Sequence, residues 1–275
     1  MRLYHYTSFN SFIRIWFTQK LLFGDPSFVN DIFEQDHGVA GSIFLFRTIY
    51  RIEQQISKFR QISLTKDYSE MVLGCMSPMM WGHYGDKGNG VCIELDVPRL
   101  KIPPKVIQGD IEYISGVPPI PKFPDSLENA SACEIRNFIR NNNSSFLFKK
   151  TKDWSYENEY RLVSDSVKSI SIKHAIKRII VKKCNTVESD IILQLIDEYN
   201  KGKDKELQID VCYLHRAEEE GEHIYKLTPL QIIKDTFFPS RYSIIKRRKK
   251  VREFLDNLKT IGIRISSSNN KSKSS

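Results

Sequence analysis

The order of apolar stretches limits this chain more than any single motif does. Short strand-like runs alternate irregularly with helical patterns, joined mostly by hairpin-length links, over 275 residues. No regular strand–long-helix–strand repeat runs through them, which argues for an α+β fold over a doubly wound parallel sheet. Leu3 to Thr7 reads as a first strand. Ser8 then caps a helix whose Phe9, Phe12, Ile13, Trp16 and Phe17 recur at helical spacing. Further strands are expected at Leu21–Phe23, Val72–Met76, Val91–Asp96, Ile111–Tyr113, Ile179–Val181 and Leu207–Leu214. A hairpin with an acidic turn, Arg216 to Glu222, returns at His223 to Leu227. Helices are expected over Ile43–Phe59, Ser126–Arg140 and Ser189–Tyr199, with a short helix or turn at Met80–Gly85. Seven of the eleven prolines fall between Pro98 and Pro124, marking an irregular insertion.

The stretch Trp154-Ser155-Tyr156-Glu157-Asn158-Glu159-Tyr160-Arg161 stands out chemically. Read as one strand, its period of two puts Trp154, Tyr156, Tyr160 and Leu162 on one face, interrupted only by Asn158. Glu157, Glu159 and Arg161 share the other face. Two carboxylates that close raise each other's pKa, so their coexistence needs a cause. One cause is chemistry. The other is an edge strand with a solvated Glu/Arg ladder, which base rates for charged residues favour when such a strand stands alone.

The formal net charge of +9 is unevenly spread. From Arg241 onward there are 11 basic and two acidic side chains, and the preceding residues balance at 31 of each. Attraction to nucleic acid is therefore concentrated in Lys246, Arg247, Arg248, Lys249 and Lys250, on a helical pattern running from Tyr242 to Leu258. Its alternative is a solvated amphipathic helix docked by its Ile, Phe and Leu face. We expect one α+β domain over residues 1–240, this basic helix over 241–265 and a disordered low-complexity tail over 266–275. The five scattered cysteines form no C-x-x-C pair, which fits a reducing cytoplasm better than a disulfide framework or a zinc site. No signal-peptide pattern opens the chain and no apolar run is long enough to span a bilayer, so a cytoplasmic protein without membrane contact is expected. Oligomeric state is not encoded legibly.

No G-x-x-x-x-G-K-[ST], G-x-G-x-x-G, H-E-x-x-H or G-x-S-x-G pattern occurs, which removes the common nucleotide-hydrolase, metalloprotease and serine-hydrolase classes. The chemistry-bearing residues left are His5 and Thr7 on the first strand, Trp81, His83 and Tyr84 before a glycine-rich turn, and Glu157, Glu159 and Arg161. Asn30, Asp31 and Glu34 form a further polar cluster that either caps local structure or lines a cleft. His37, His174, His215 and His223 read as surface or core residues.

The opening Leu3-Tyr4-His5-Tyr6, the loop Phe28 to Glu34, the Trp81-Gly82-His83-Tyr84 segment with its following glycines, and Trp154 to Arg161 together resemble a large bacterial family of uncharacterised domains. The resemblance covers roughly Leu3 to Tyr199; where that family has N-D-P, Ile32 replaces the proline. More distantly, His5 with Thr7, then Tyr84, then Glu159 is similar to the H-Y-E pattern of ADP-ribosyltransferases, some of which are toxins that modify nucleic acid. That resemblance implies small, mostly antiparallel sheets forming a split β core with flanking helices, with NAD as substrate in the cleft. It implies cofactor-facing roles for His5, Tyr6, Thr7, Trp81, His83, Asn30 and Arg161. It further implies Tyr84 stacking on nicotinamide, Glu159 stabilising an oxocarbenium-like charge, and Glu157 facing the acceptor. On this reading the protein is an ADP-ribosyltransferase-like enzyme, a toxin or phage-defence effector acting on nucleic acid or a nucleic-acid-associated target. Two other readings stay open: a non-catalytic nucleic-acid-binding or protein-interaction module, and an enzyme acting on another nucleotide.

Overall fold

A computed structural model describes residues 1–25, 43–116, 124–219 and 221–237, and beyond them residues 249, 251–254, 256 and 257. The elements in chain order are β1 (Arg2–Thr7), α1 (Phe9–Thr18), β2 (Lys20–Leu22), α2 (Ile43–Ile56), β3 (Arg60–Lys66), α3 (Pro78–His83), β4 (Val91–Asp96), β5 (Ile107–Asp110) and β6 (Glu112–Ile114). They continue with α4 (Ala132–Asn141), α5 (Asn143–Phe146), β7 (Lys149–Thr151), β8 (Glu159–Ser164), β9 (Ser169–Ser171), β10 (Ile176–Val181), α6 (Val187–Asn200), β11 (Asp210–Glu219), β12 (Glu222–Pro229) and α7 (Leu230–Phe237). The fold is α+β, as expected. Its strands gather mainly into one eight-stranded sheet, in the order β12-β11-β10-β4-β1-β3-β8-β5, rather than into several small ones. Two-stranded pairs β2–β9 and β6–β7 flank it.

Alternation divides the sheet into two faces. Leu3 on β1, Ile93 and Leu95 on β4, Ile62 on β3 and Leu162 on β8 turn to one side and pack with Phe12 and Trp16 of α1 and Ile192 and Leu195 of α6. Each such fully buried side chain contributes about 1.5–3 kcal/mol, so this layer anchors the domain. Val251 packs into it and the Phe254 ring meets Phe9, which docks this part of the basic C-terminal segment by its apolar face. Lys249 is exposed. Lys246, Arg247, Arg248 and Lys250, like Asn30, Asp31 and Glu34, lie outside the described residues.

The opposite face carries two separate apolar clusters. One gathers Tyr4, Tyr6, Cys75, Trp81, Cys92 and Ile180. The other gathers Ile52, Phe59, Ile135, Ile139, Phe146 and Val163 under α2, α4 and α5. Between them, on the β8 strand, the face is charged.

The sheet is not evenly closed. β1 pairs with β4 through six residues but with β3 only through Leu3↔Lys66 and Tyr4↔Thr65. Beyond Tyr4 the β1–β3 register stops, and Gln61 of β3 pairs instead with Gly24 through bonds of 2.8 and 3.0 Å. Ser63, in the middle of a strand third from the sheet's β5 edge, is therefore exposed. The β1–β3 ladder is thus interrupted over Ile62 to Leu64, between Thr65 and the Gly24-paired Gln61.

Several sequence expectations change. Val72 to Met76 is not a strand: Gly74–Met76 is a turn of 3-10 helix. It packs so tightly on β1 that a Cβ on Gly74 would come within 2.4 Å of the Tyr4 ring, while the Tyr6 hydroxyl donates to the Gly74 carbonyl at 2.7 Å. The helix expected from Ser126 begins later, where Ser131 and Glu134 form a capping box. β11 runs on to Glu219, so the hairpin turn falls at Gly221 rather than across Arg216 to Glu222.

Gly90 ends the turn between α3 and β4, and a Cβ there would lie 2.2 Å from the Thr7 carbonyl oxygen. Gly90→Ala should lower stability by about 1–3 kcal/mol through this overpacking against backbone, read as a lower urea midpoint. Gly82→Ala, whose Cβ would meet nothing within 4 Å on α3, should hold or raise the midpoint.

Candidate functional site

The charged region between the two clusters is built by three local features. α3 starts at Pro78, with Ser77 as its N-cap accepting from the Met80 backbone at 3.3 Å, and ends at its C-cap Tyr84. β7 pairs in parallel with β6, setting Lys150 opposite Tyr113. After β7 the chain makes a 3-10 helix, Lys152–Glu157, passes through Asn158 in the left-handed region (φ 43°, ψ 50°) and enters β8.

This corrects the reading of Trp154 to Arg161 as one strand. Asn tolerates the left-handed conformation better than most residues, because its short polar side chain bonds locally. Here the Asn158 amide donates to the Asp67 carbonyl at 2.8 Å, and the Lys66 N–H donates to the Asn158 carbonyl at 3.0 Å. Glu159 and Arg161 keep a shared strand face, whereas Glu157 reaches the same place from the helical turn. The solvated edge ladder is also excluded, since β8 lies between β3 and β5, and Glu157, Glu159 and Arg161 are 3%, 3% and 2% exposed.

A chain of short contacts joins the group. The Tyr84 hydroxyl donates to Glu157 Oε1 at 2.5 Å. Lys150 Nζ lies 2.6 Å from Glu157 Oε2 and 2.9 Å from Glu159 Oε2. Arg161 clamps Glu159 with Nε to Oε1 at 2.8 Å and a terminal nitrogen to Oε2 at 3.0 Å, and donates to the Leu147 carbonyl at 2.9 Å. The Glu159 N–H donates to the Tyr113 hydroxyl at 2.9 Å. Two anions and two cations thus compensate one another where water is excluded.

The two carboxylates are driven apart in charge demand. Burial raises Glu157, Lys150 opposes that, and the neighbouring Glu159 charge adds to it; the net result is a pKa above the ordinary value. Burial also works against Glu159, but Arg161 and Lys150 outweigh it and hold the carboxyl at about 2. Such a divergent pair divides acid–base work from charge stabilisation. Tyr84 belongs to the hydrogen-bonded network through its bond to Glu157.

Of the other sequence-derived candidates, Trp81 and Tyr6 support the site from below. Their rings meet edge-on at 5.2 Å, and Trp81 Nε1 donates to the Cys75 carbonyl at 2.8 Å. His83 is exposed and stacks at 5.9 Å on Tyr156. His5 and Thr7 share the strand parity of Leu3, so they point away from the Glu159 face. His5 nonetheless meets the Ser63 backbone at the interrupted ladder, where burial pushes its imidazole down to about 4. The Ser63 side chain hydrogen-bonds Glu159 from the same position. Ser63 therefore connects the two groups. Neither Ser63 nor Lys150 was picked out from sequence, because neither carries a pattern; the only hint of Lys150 is a lysine between apolar Phe148 and the aromatic-rich stretch. Among the described residues no cluster of three or more His, Cys, Asp or Glu is set to hold a metal, and no helix is long and apolar enough to cross a membrane.

Lys150→Met should cost about 3–5 kcal/mol at pH 7, because it leaves buried Glu157 without its cation and Glu159 with Arg161 alone. Glu159 is depressed when folded, so its stabilising contribution is full above its ordinary 4.5 and is lost as pH falls towards about 2. Urea titrations should therefore show the Lys150→Met penalty shrinking between pH 7 and 4, as Glu157, with its raised pKa, takes up a proton.

No curated protein and no solved structure matches the chain. Residues 80–162 match the model of a family described as a protein of unknown function (DUF2971). That segment, which spans under a third of the chain, is similar to the family and carries Tyr84, Tyr113, Lys150, Glu157, Glu159 and Arg161.

Proposed function

We propose that the protein is an ADP-ribosyltransferase-like enzyme that cleaves the bond between nicotinamide and ribose in NAD. The observation that carries this reading is the carboxylate pair. Glu159 is fixed as an anion and Glu157 is pushed towards its neutral form, 2.5 Å from a tyrosine hydroxyl. Heterolysis of a glycosidic bond sends the electron pair out with the leaving base and leaves positive charge on the sugar. A fixed anion stabilises that charge more in the transition state than in the ground state. A second carboxylate with a raised pKa suits the proton lost by the incoming acceptor, with Tyr84 relaying it.

The interruption of the β1–β3 ladder supports the reading further. Exposed Ser63 bonds the buried Glu159 carboxylate by its side chain and meets His5 by its backbone, so a ligand reaching Ser63 is one hydrogen bond from Glu159. Nucleic acid, or a target bound to it, is the acceptor class that the basic C-terminal segment suits.

A second reading follows from the bidentate Arg161 clamp, which occupies both oxygens of Glu159. In that reading the network is structural and the protein is a non-catalytic binding module, whose affinity for nucleic acid falls steeply with salt.

Incubation with NAD, with and without single-stranded nucleic acid, separates the two by nicotinamide release. Glu157→Gln is close to isosteric and keeps an acceptor for Tyr84, so it should leave the fold intact and lower turnover about 10²–10⁴-fold. Absence of NAD turnover together with salt-sensitive nucleic-acid binding would decide for the binding module.

A further inference from the structure

Above Glu157 and Tyr84 lies a group of rings that the network does not use. His83 adjoins Tyr84 in sequence and Tyr156 adjoins Glu157. The His83 and Tyr156 rings stack at 5.9 Å with 27° between planes, Trp154 lies 5.8 Å from Tyr156, and His83 lies 6.2 Å from Trp154. His83 is exposed, Trp154 and Tyr156 are half-buried, and Met79, one turn before His83 on the same side of α3, is 49% exposed. Most aromatic side chains at such density are covered, so a solvent-facing triangle of three rings needs an account. Trp16 and Trp81, by contrast, are buried.

The position of Lys150 narrows what this surface suits. Its ammonium lies 5.8 Å from the Trp154 ring centre while bridging both glutamates. A cation this near the Trp154 ring draws on its π density. The two cations of the network already hold carboxylates, so the surface above it offers faces of rings in place of phosphate-binding charge.

We propose that His83, Trp154 and Tyr156 form a stacking platform for the heteroaromatic base of a nucleotide, whose sugar then lies over Glu157. The inference rests on the reading above for the place of the reacting bond, but base binding is measured without turnover. Two sources share this chemistry: the nicotinamide end of the dinucleotide and an adenine-type base.

Calorimetric titration with nicotinamide mononucleotide, AMP and ribose 5-phosphate tests the platform and distinguishes the sources. At least one of the two base-bearing ligands should bind saturably, and ribose 5-phosphate, which lacks a ring, should bind at least about fivefold more weakly. Trp154→Leu and the exposed His83→Ala should each weaken the ring-bearing ligand at least about fivefold. Thermal melting confirms that each variant is folded; if Trp154→Leu is not, His83→Ala alone decides. Equal affinity for ribose 5-phosphate, binding unchanged in a folded His83→Ala variant, or no binding of either base would overturn the platform. If the platform binds bases as expected but wild-type protein releases no nicotinamide from NAD, the enzymatic reading fails and the platform stands. Nicotinamide release with no loss of base affinity in the ring variants is the reverse case.

Discussion

The ammonium of Lys150, held between two glutamates where water is excluded, is the interaction on which the rest of this face depends. Without it two carboxylates would repel each other at low dielectric, and burial alone would neutralise one or both. With it, and with Arg161 clamping one side, the pair separates into a permanent anion and a carboxylate pushed upward. The surrounding architecture serves this arrangement. β6 fixes Lys150 through β7, Tyr113 meets the Glu159 backbone, and the left-handed Asn158 swings Glu157 in from a helical turn rather than from the strand. Two apolar clusters on either side keep water out.

Buried charge is not justified by stability, since apolar residues of similar volume often replace such pairs at no cost. A network of four ionised groups at a seam between two cores is better explained by what it does. Its location sharpens the point. It borders the interruption of the β1–β3 ladder, where exposed Ser63 bonds Glu159 by its side chain and meets His5 by its backbone. Strand edges that could pair and do not are where ligands find backbone and side-chain groups already in position.

What could be read in the sequence follows from periodicity. β1, β4, α1 and α6 were legible because a buried strand or an amphipathic helix imposes its period on consecutive residues. The α+β class followed from their order. The Trp154 stretch misled because its residues alternate as a strand would, while one asparagine in the left-handed region breaks the geometry without disturbing the pattern. Val72 to Met76 misled for a related reason, as an apolar run covering Tyr4 and Tyr6 looks like a strand until Gly74 is seen against the Tyr4 ring. Glu157, Glu159, Arg161 and Tyr84 were legible as chemistry-bearing residues. Lys150 was not, because its burial depends on a three-residue parallel pairing between segments 37 positions apart in the register Tyr113↔Lys150. The interruption between β1 and β3 is likewise a matter of where a ladder stops, which no local signal records.

The central claim is that Lys150 and Arg161 set the two carboxylates far apart in proton affinity. It is most directly tested by following the side-chain carboxyl carbons of Glu157 and Glu159 by NMR as a function of pH, with Glu157→Gln and Glu159→Gln providing the assignments. The account predicts that Glu157 titrates above the ordinary 4.5 and that Glu159 stays ionised until about pH 2. Two carboxyls titrating together near 4.5 would contradict it.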